Sequence, residues 1–237
     1  MSVGGHIRGP PTRRAADPQL RDTGRMSNNG PPAGVAPGDA NERTISTYDQ
    51  YAQRYIDRTT HEVPDPLRQW LDRAVAGLPR DARILEIGSG FGRDAGYLNG
   101  LGYRVRCTDA APAFVAELRA RGIDADPLNA ITDELPGALD LLLANSVLLH
   151  FTRAQFSDVA TKARRSLRPG GRFAFIVRLG DGQEWSNGKM DAPRFFCYWR
   201  EPQLRDVLLA AGFVDIDIRR ARGPGSKLDQ LQVVAEP

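Results

Sequence analysis

The chain has 237 residues, 41% of them hydrophobic and 26% charged, with a formal net charge of +3. That is enough for one full α/β domain with extensions, and the balance is that of an ordinary globular protein. Nothing approaches the roughly 18 to 20 consecutive apolar residues of a membrane-spanning helix; the longest apolar run, 139–149, is broken by Asp140, Asn145 and Ser146.

Residues 1–43 are rich in Gly, Pro, Arg, Asn and Asp. Such a segment cannot bury enough surface to offset its ordering entropy, so it reads as a disordered tail. Met26 inside it is an alternative start, and no apolar core of a secretory signal is present. Residues 44–80 read as a helical cap. Ile45, Tyr48, Tyr51, Ala52, Tyr55 and Ile56 fall at helical spacing over 44–58. A second helix over 66–77 opens on Pro66 and carries Leu67, Trp70, Leu71, Ala74 and Val75 on one face.

From Ala82 onward short apolar runs alternate with amphipathic segments. Strands are expected at 83–87, 103–108, 123–128, 139–145, 172–178, 213–219 and 229–235, with helices at 92–100, 112–121, 153–167 and 201–211. This alternation predicts a three-layer α/β fold, a mostly parallel seven-stranded sheet with an antiparallel last strand. Pro169-Gly170-Gly171 breaks the chain before the fifth strand, and the turn over 222–226 suggests a hairpin ending. Cys107 and Cys197 have no Cys or His at metal-ligand spacing. They read as two buried thiols in a reducing compartment, so the cytoplasm is the expected location and no metal site is expected. Lys162, Arg164, Arg165 and Arg168 form a solvated helix face rather than a nucleic-acid stripe.

The most informative stretch runs from Ile84 to Asp94: a strand, a glycine turn and a helix start. Glycines there permit positive φ and close ligand approach, and the helix N-terminus offers unpaired N–H groups. A dinucleotide G-x-G-x-x-G turn would need glycine at 93, which is Arg93; the chain instead reads Glu86-x-Gly88-x-Gly90-x-Gly92. The next strand ends on Asp109, an acid placed to meet the paired hydroxyls of a ribose.

With those residues in order, 82 to about 218 resembles a class I S-adenosylmethionine (SAM)-dependent methyltransferase of the small stand-alone kind that modifies metabolites or peptides. The resemblance implies a Rossmann-like fold with SAM as cofactor. It implies Glu86, Gly88, Ser89, Gly90, Gly92 and Asp94 around the amino-acid end of SAM, and Asp109 and Ala110 at the ribose. Asn129 and Ala130 stand where the family often has an acid for adenine, with Asp126 as the rival. Asn145 after the fourth strand would sit beside the cofactor, and Tyr48 of the cap would cover it.

His150 is the histidine nearest the expected catalytic edge and the candidate general base; His6 and His61 have no evident partners. The segment after the fifth strand, 179–200, carries Trp185, Lys189, Arg194, Phe196 and Tyr198 and is the candidate acceptor lid. Asp181 and Glu184 within it favour a cationic or amine acceptor. The expected reaction is methyl transfer to an amine or hydroxyl of a small molecule or short peptide. Asn145-Ser146-Val147-Leu148 lacks the Asn/Asp-Pro-Pro-Tyr/Phe of base-modifying relatives. A nucleic-acid methyltransferase, a non-catalytic SAM sensor or partner protein, and an NAD-dependent oxidoreductase stand as alternatives.

Overall fold

The computed structural model describes Met1, residues 37–222 and residues 229–237. Most of the expected N-terminal tail, with His6 and Met26, and residues 223–226 of the expected final turn lie outside them.

The first described helix starts at Pro37, seven residues before the expected one, and the aromatic stripe is carried by two helices, α1 (Pro37–Gln50) and α2 (Ala52–Asp57). The break falls at Tyr51, whose backbone leaves helical geometry. Helix α3 (Asp65–Val75) buries Leu67, Trp70, Leu71, Ala74 and Val75, and the Trp70 indole donates to the Val233 carbonyl at 3.0 Å.

Alternating elements follow: β1 (Ile84–Ile87), α4 (Arg93–Gly100), β2 (Val105–Asp109), α5 (Pro112–Ala120), β3 (Ala125–Pro127) and β4 (Leu139–Asn145). Next come a 3₁₀ turn (Leu148–His150), α6 (Arg153–Ser166), β5 (Leu167–Leu179), β6 (Gln183–Ser186) and β7 (Arg194–Trp199). Helix α7 (Glu201–Ala210) and strands β8 (Asp215–Arg222) and β9 (Asp229–Glu236) complete the chain. Thr152 and Gln155 form a reciprocal capping box that fixes the start of α6.

The sheet runs β3-β2-β1-β4-β5, all parallel, with β9 antiparallel on β5 and β8 antiparallel on β9. It has nine strands among the described residues rather than seven. The two extra strands come from the expected lid: β6 and β7 pair antiparallel, and β7 joins β5 through Arg178–Tyr198 and Leu179–Trp199. The aromatic-rich run Phe195 to Trp199 favours strand geometry once the end of β5 that projects past β4 is within reach. The glycines after Pro169 form a register shift between β4 and β5 rather than a full break. A Cβ at Gly171 would stand 2.6 Å from the Leu139 carbonyl oxygen, so the strands meet there only through glycine.

Successive β-strand residues point to opposite faces. Leu142, Ala144, Phe173 and Phe175 therefore pack under α6 and α7, whereas Leu141, Leu143, Ala174 and Ile176 pack under α3 and α4. Both cysteines are free and buried. No helix among the described residues is long and apolar enough to cross a membrane. The chain winds outward from β1 to β3 and then returns to β4 beside β1. A crevice opens at such a reversal, at the carboxyl ends of the strands.

Candidate active site

The crevice is walled by the loops after β1, β2 and β4. After β1, Gly88, Gly90 and Gly92 all have positive φ, at 66°, 55° and 80°. A Cβ on Gly88 would lie 2.2 Å from Val147 Cγ2, and one on Gly92 2.7 Å from Leu118 Cδ2. The first glycine lets β1 and β4 exit side by side; the third lets α4 pack on α5. Gly92 thus supports the turn from behind and does not line the crevice, unlike Gly88 and Gly90.

Asp109, at the end of β2, locks the turn. Its two carboxylate oxygens accept from the Gly90 and Ala111 amides, each at 2.9 Å. Burial raises its pKa to about 6 despite those two hydrogen bonds, so it is ionised at neutral pH. After β4, Asn145 donates to Asp94 at 2.6 Å, and Ser146 adopts a left-handed φ of 59°. Strained backbone of this kind persists where the surroundings over-determine it, often at functional sites.

Glu86 is buried under the turn, and its Oε2 has no hydrogen-bond partner within the protein. Burial, then the charge of Asp94, pushes its pKa up to about 8. An unpaired buried carboxyl oxygen is costly and calls for a donor. Asp94 is also bridged to Arg93 at 2.8 Å.

The cap helices close the crevice from above. Asn41 accepts from the Asn129 side-chain amide at 2.9 Å, and Asp49 accepts from the Ala113 amide at 2.7 Å at the start of α5. Thr44 accepts from the Phe195 amide at 3.1 Å, and Thr47 donates to the Pro193 carbonyl at 2.8 Å. α1 therefore bridges the β2 loop, the β3 loop and β7. Arg54 of α2 and Arg58 at its C-cap donate to the carbonyls of Met190 and Lys189, each at 2.7 Å. Of the three expected tyrosines, Tyr48 and Tyr55 face the crevice and Tyr51 packs against Arg54 outside it.

Two cavities result. The narrower is lined by Asp109, Ala110, Phe114, Leu128, Asn129 and Ala130 together with Asn41 and Ile45. The wider, about 480 Å³, includes Glu86, Ser89, Arg93, Asp94, Arg178, Lys189, Arg194 and Phe196. Tyr48, Tyr55, Gly88, Gly90, Asn145, Ser146 and His150 line both.

His150 is held on both sides. Its Nδ1–H donates to the Phe195 carbonyl at 2.6 Å, which leaves Nε2 to accept the Tyr48 hydroxyl proton at 2.9 Å. Arg194 in turn donates to the Tyr48 oxygen at 3.1 Å. Burial, with Arg194 and Arg178 nearby, lowers the His150 pKa to about 3.

The lid residues divide. Lys189, Arg194 and Phe196 line the wider cavity. Trp185 instead packs edge-on against Phe195 at 5.9 Å, and Tyr198 donates to Glu184 at 2.6 Å; neither lines these two cavities. Asp181 pairs with Arg200 on the surface, so neither of the lid's expected acids meets the site. Asp126 is tied to Arg106 at the outer edge of the sheet at 2.6 Å, which leaves Asn129-Ala130 as the residues after β3 that border the crevice. His61 stacks obliquely on Phe91 at 4.9 Å. Arg178, which the sequence sets with Lys189 and Arg194 beside the lid aromatics, lines the wider cavity, whereas sequence reasoning missed Asn41, Thr44 and Phe114. Only Phe114 carried a signal, an aromatic five residues past Asp109 at the start of a helix.

Residues 85–173, which hold the glycine turn, Asp109 and Asn145, match the family model described as methyltransferase domain. The Burkholderia thailandensis 1,6-didemethyltoxoflavin-N1-methyltransferase, solved with 1,6-didemethyltoxoflavin and S-adenosylhomocysteine, is 25% identical. It is matched over 85% of this chain and 90% of its own, with a TM-score of 0.65. The protein is an S-adenosylmethionine-dependent methyltransferase. The methyltransferase shares its fold with DhpI in its SAM–HEP complex, at 17% identity, 86% of this chain, 100% of that one and a TM-score of 0.69. The glycopeptide N-methyltransferase MtfA is similar at 16% identity, 72% of this chain, 90% of that one and a TM-score of 0.55. No curated protein matches the methyltransferase by sequence.

The residues present fit this cofactor. The orphaned Glu86 oxygen suits an ammonium, the glycine turn leaves room for close approach, and an ionised Asp109 suits paired hydroxyls.

Proposed function

We propose that this methyltransferase acts on an amine or hydroxyl of a small molecule or short peptide. The observation that carries this reading is the wider cavity, a cleft that shares Gly88, Asn145, Ser146, Tyr48, Tyr55 and His150 with the narrower one. α1, α2 and the β6–β7 hairpin roof it, a geometry suited to a compact acceptor and not to an extended nucleic acid. The neighbour that acts on a toxoflavin precursor and the glycopeptide N-methyltransferase support the same class.

In this reading the narrower cavity takes the nucleoside. Asp109 and Ala110 meet the ribose, Asn129 and Ala130 the base, and Phe114 forms the wall opposite. Glu86, Ser89, Gly90 and Asp94 surround the amino-acid end, with Arg93 held beside it by its bridge to Asp94. Bound SAM supplies a methyl group on a sulfonium that is already a good electrophile. The chain's own contribution is to orient and to exclude water, and such positioning supplies about 7–11 kcal/mol.

His150 is then a positioning residue rather than the general base expected from sequence. Its basic nitrogen is already occupied by Tyr48, and its low pKa makes it a poor proton acceptor. It fixes the Tyr48 ring over the cavity junction. A neutral amine nucleophile needs no further base.

Titration calorimetry with S-adenosylhomocysteine, with NAD as control, tests the cofactor site. Micromolar binding of the former alone is expected. Screening amines, phenols and short peptides for homocysteine-nucleoside release then tests the acceptor class. Activity on nucleic acid only would overturn it.

A further inference from the structure

The wider cavity is strongly cationic on the side away from the glycine turn. Arg178 at the end of β5 and Arg194 at the start of β7 flank one ring, their guanidinium carbons 4.2 and 5.1 Å from the centre of Phe196. Lys189 reaches in from the β6–β7 loop, its ammonium 4.3 Å from the centre of the Tyr55 ring. Among the described residues none of the three pairs with a carboxylate. The other two arginines of the cavity differ: Arg58 is bridged to Asp191 at 2.9 Å and Arg93 to Asp94 at 2.8 Å.

Arg194 is only 4% exposed, and its Nε has no hydrogen-bond partner. A buried guanidinium left part-satisfied is expensive unless an anion completes it. The cost of crowding shows at Lys189, whose pKa falls to about 8 through burial first, then Arg194, Arg93 and Arg178. The loop that carries it is strained as well: Lys189 and Asp191 have φ of 70° and 55°, held by Arg54 and Arg58. Strain and charge repulsion are both kept where a ligand is to be met.

We infer that Arg178, Lys189 and Arg194 form an anion subsite, so that the acceptor carries a carboxylate, phosphonate or phosphate beside the amine or hydroxyl that is methylated. This rests on the cofactor reading above and narrows its substrate class. It also reverses the cationic acceptor suggested by Asp181 and Glu184, which are tied up outside the cavity. The anion would additionally balance the positive sulfonium, which three unpaired cations would otherwise repel.

The test uses the full chain saturated with S-adenosylhomocysteine and three matched probes: benzoate, phenylphosphonate and benzylamine. Titrations by calorimetry or ligand-observed NMR should show the two anions binding and benzylamine not. Arg178→Gln and Lys189→Gln should each weaken the anions at least fivefold while S-adenosylhomocysteine affinity stays within twofold. Preference for benzylamine, or anion binding unchanged in both variants, would overturn the subsite. Parallel loss of S-adenosylhomocysteine affinity would assign the cations to the cofactor carboxylate instead. Failure of the wild-type chain to bind S-adenosylhomocysteine would sink the cofactor reading itself, and the subsite with it.

Discussion

The Tyr48 hydroxyl and His150 Nε2 meet at 2.9 Å, joining the N-terminal cap to the turn after β4 across the mouth of the crevice. Their rings are edge to face, with centroids 5.4 Å apart. The contact orders the roof and occupies the basic nitrogen of His150.

His150 therefore stays neutral across the working range, since its pKa is lowered to about 3. The pH–rate profile should show no limb belonging to His150 between pH 5 and 8. Tyr48→Phe and His150→Gln should both lower kcat, by up to about a hundredfold for lost positioning, without moving the profile. Loss of a limb near pH 6–7 in His150→Gln would instead make it the base.

Glu86 holds its proton to about pH 8 in the free protein. An ammonium brought to its free oxygen would favour ionisation, so cofactor binding at pH 7 should release up to one proton. Calorimetry in buffers of different ionisation enthalpy reads this directly, and Glu86→Gln should abolish the release and weaken binding.

The same group sets a stability slope. The unfolded chain loses this proton near the ordinary carboxylate value of 4.5, the folded one only near 8. Between those values the unfolded state binds fewer protons, so the free protein should lose stability as pH rises. Thermal melts of Glu86→Gln should show a flatter profile and a higher melting temperature at pH 7–8 than the wild type. A steeper profile in the variant would contradict the assignment.

Asp109→Ala should cost about 1.5–3 kcal/mol in S-adenosylhomocysteine affinity, as for charge-assisted hydrogen bonds. Because Asp109 also accepts from the Gly90 and Ala111 amides, part of the loss should appear as a lower melting temperature. Unchanged affinity in a folded variant would remove Asp109 from the binding site.

Gly88→Ala places a Cβ 2.2 Å from Val147 Cγ2 at a φ of 66°. Strain and overpacking together should destabilise the protein by about 1–3 kcal/mol. Binding should suffer more than in Gly90→Ala, where the nearest atom to a Cβ is 3.9 Å away.

Most of the central sheet was legible in the sequence because buried parallel strands are short apolar runs bounded by turns. Leu139–Asn145 coincides with the expected strand, and α4, α5, α6 and α7 begin and end within one residue of expectation. The glycine turn and Asp109 were legible too, because close approach and a buried acid leave few residue choices. The strands β6 and β7 were not. The apolar side chains of β7 are contiguous, and only the end of β5 that projects past β4 made β6 and β7 a strand pair and not a loop.

Which charges face the cavity was likewise a tertiary decision. From sequence, Asp181 and Glu184 looked as available as Arg178, Lys189 and Arg194. Folding spends Asp181 on Arg200 at the surface and Glu184 on the buried Tyr198, and turns the three cations inward. Local pattern determines strands, helices and a cofactor turn because those depend on neighbours in the chain. The sign of the acceptor site depends on partners 14 to 146 residues apart in sequence, and only the packed chain brings them together.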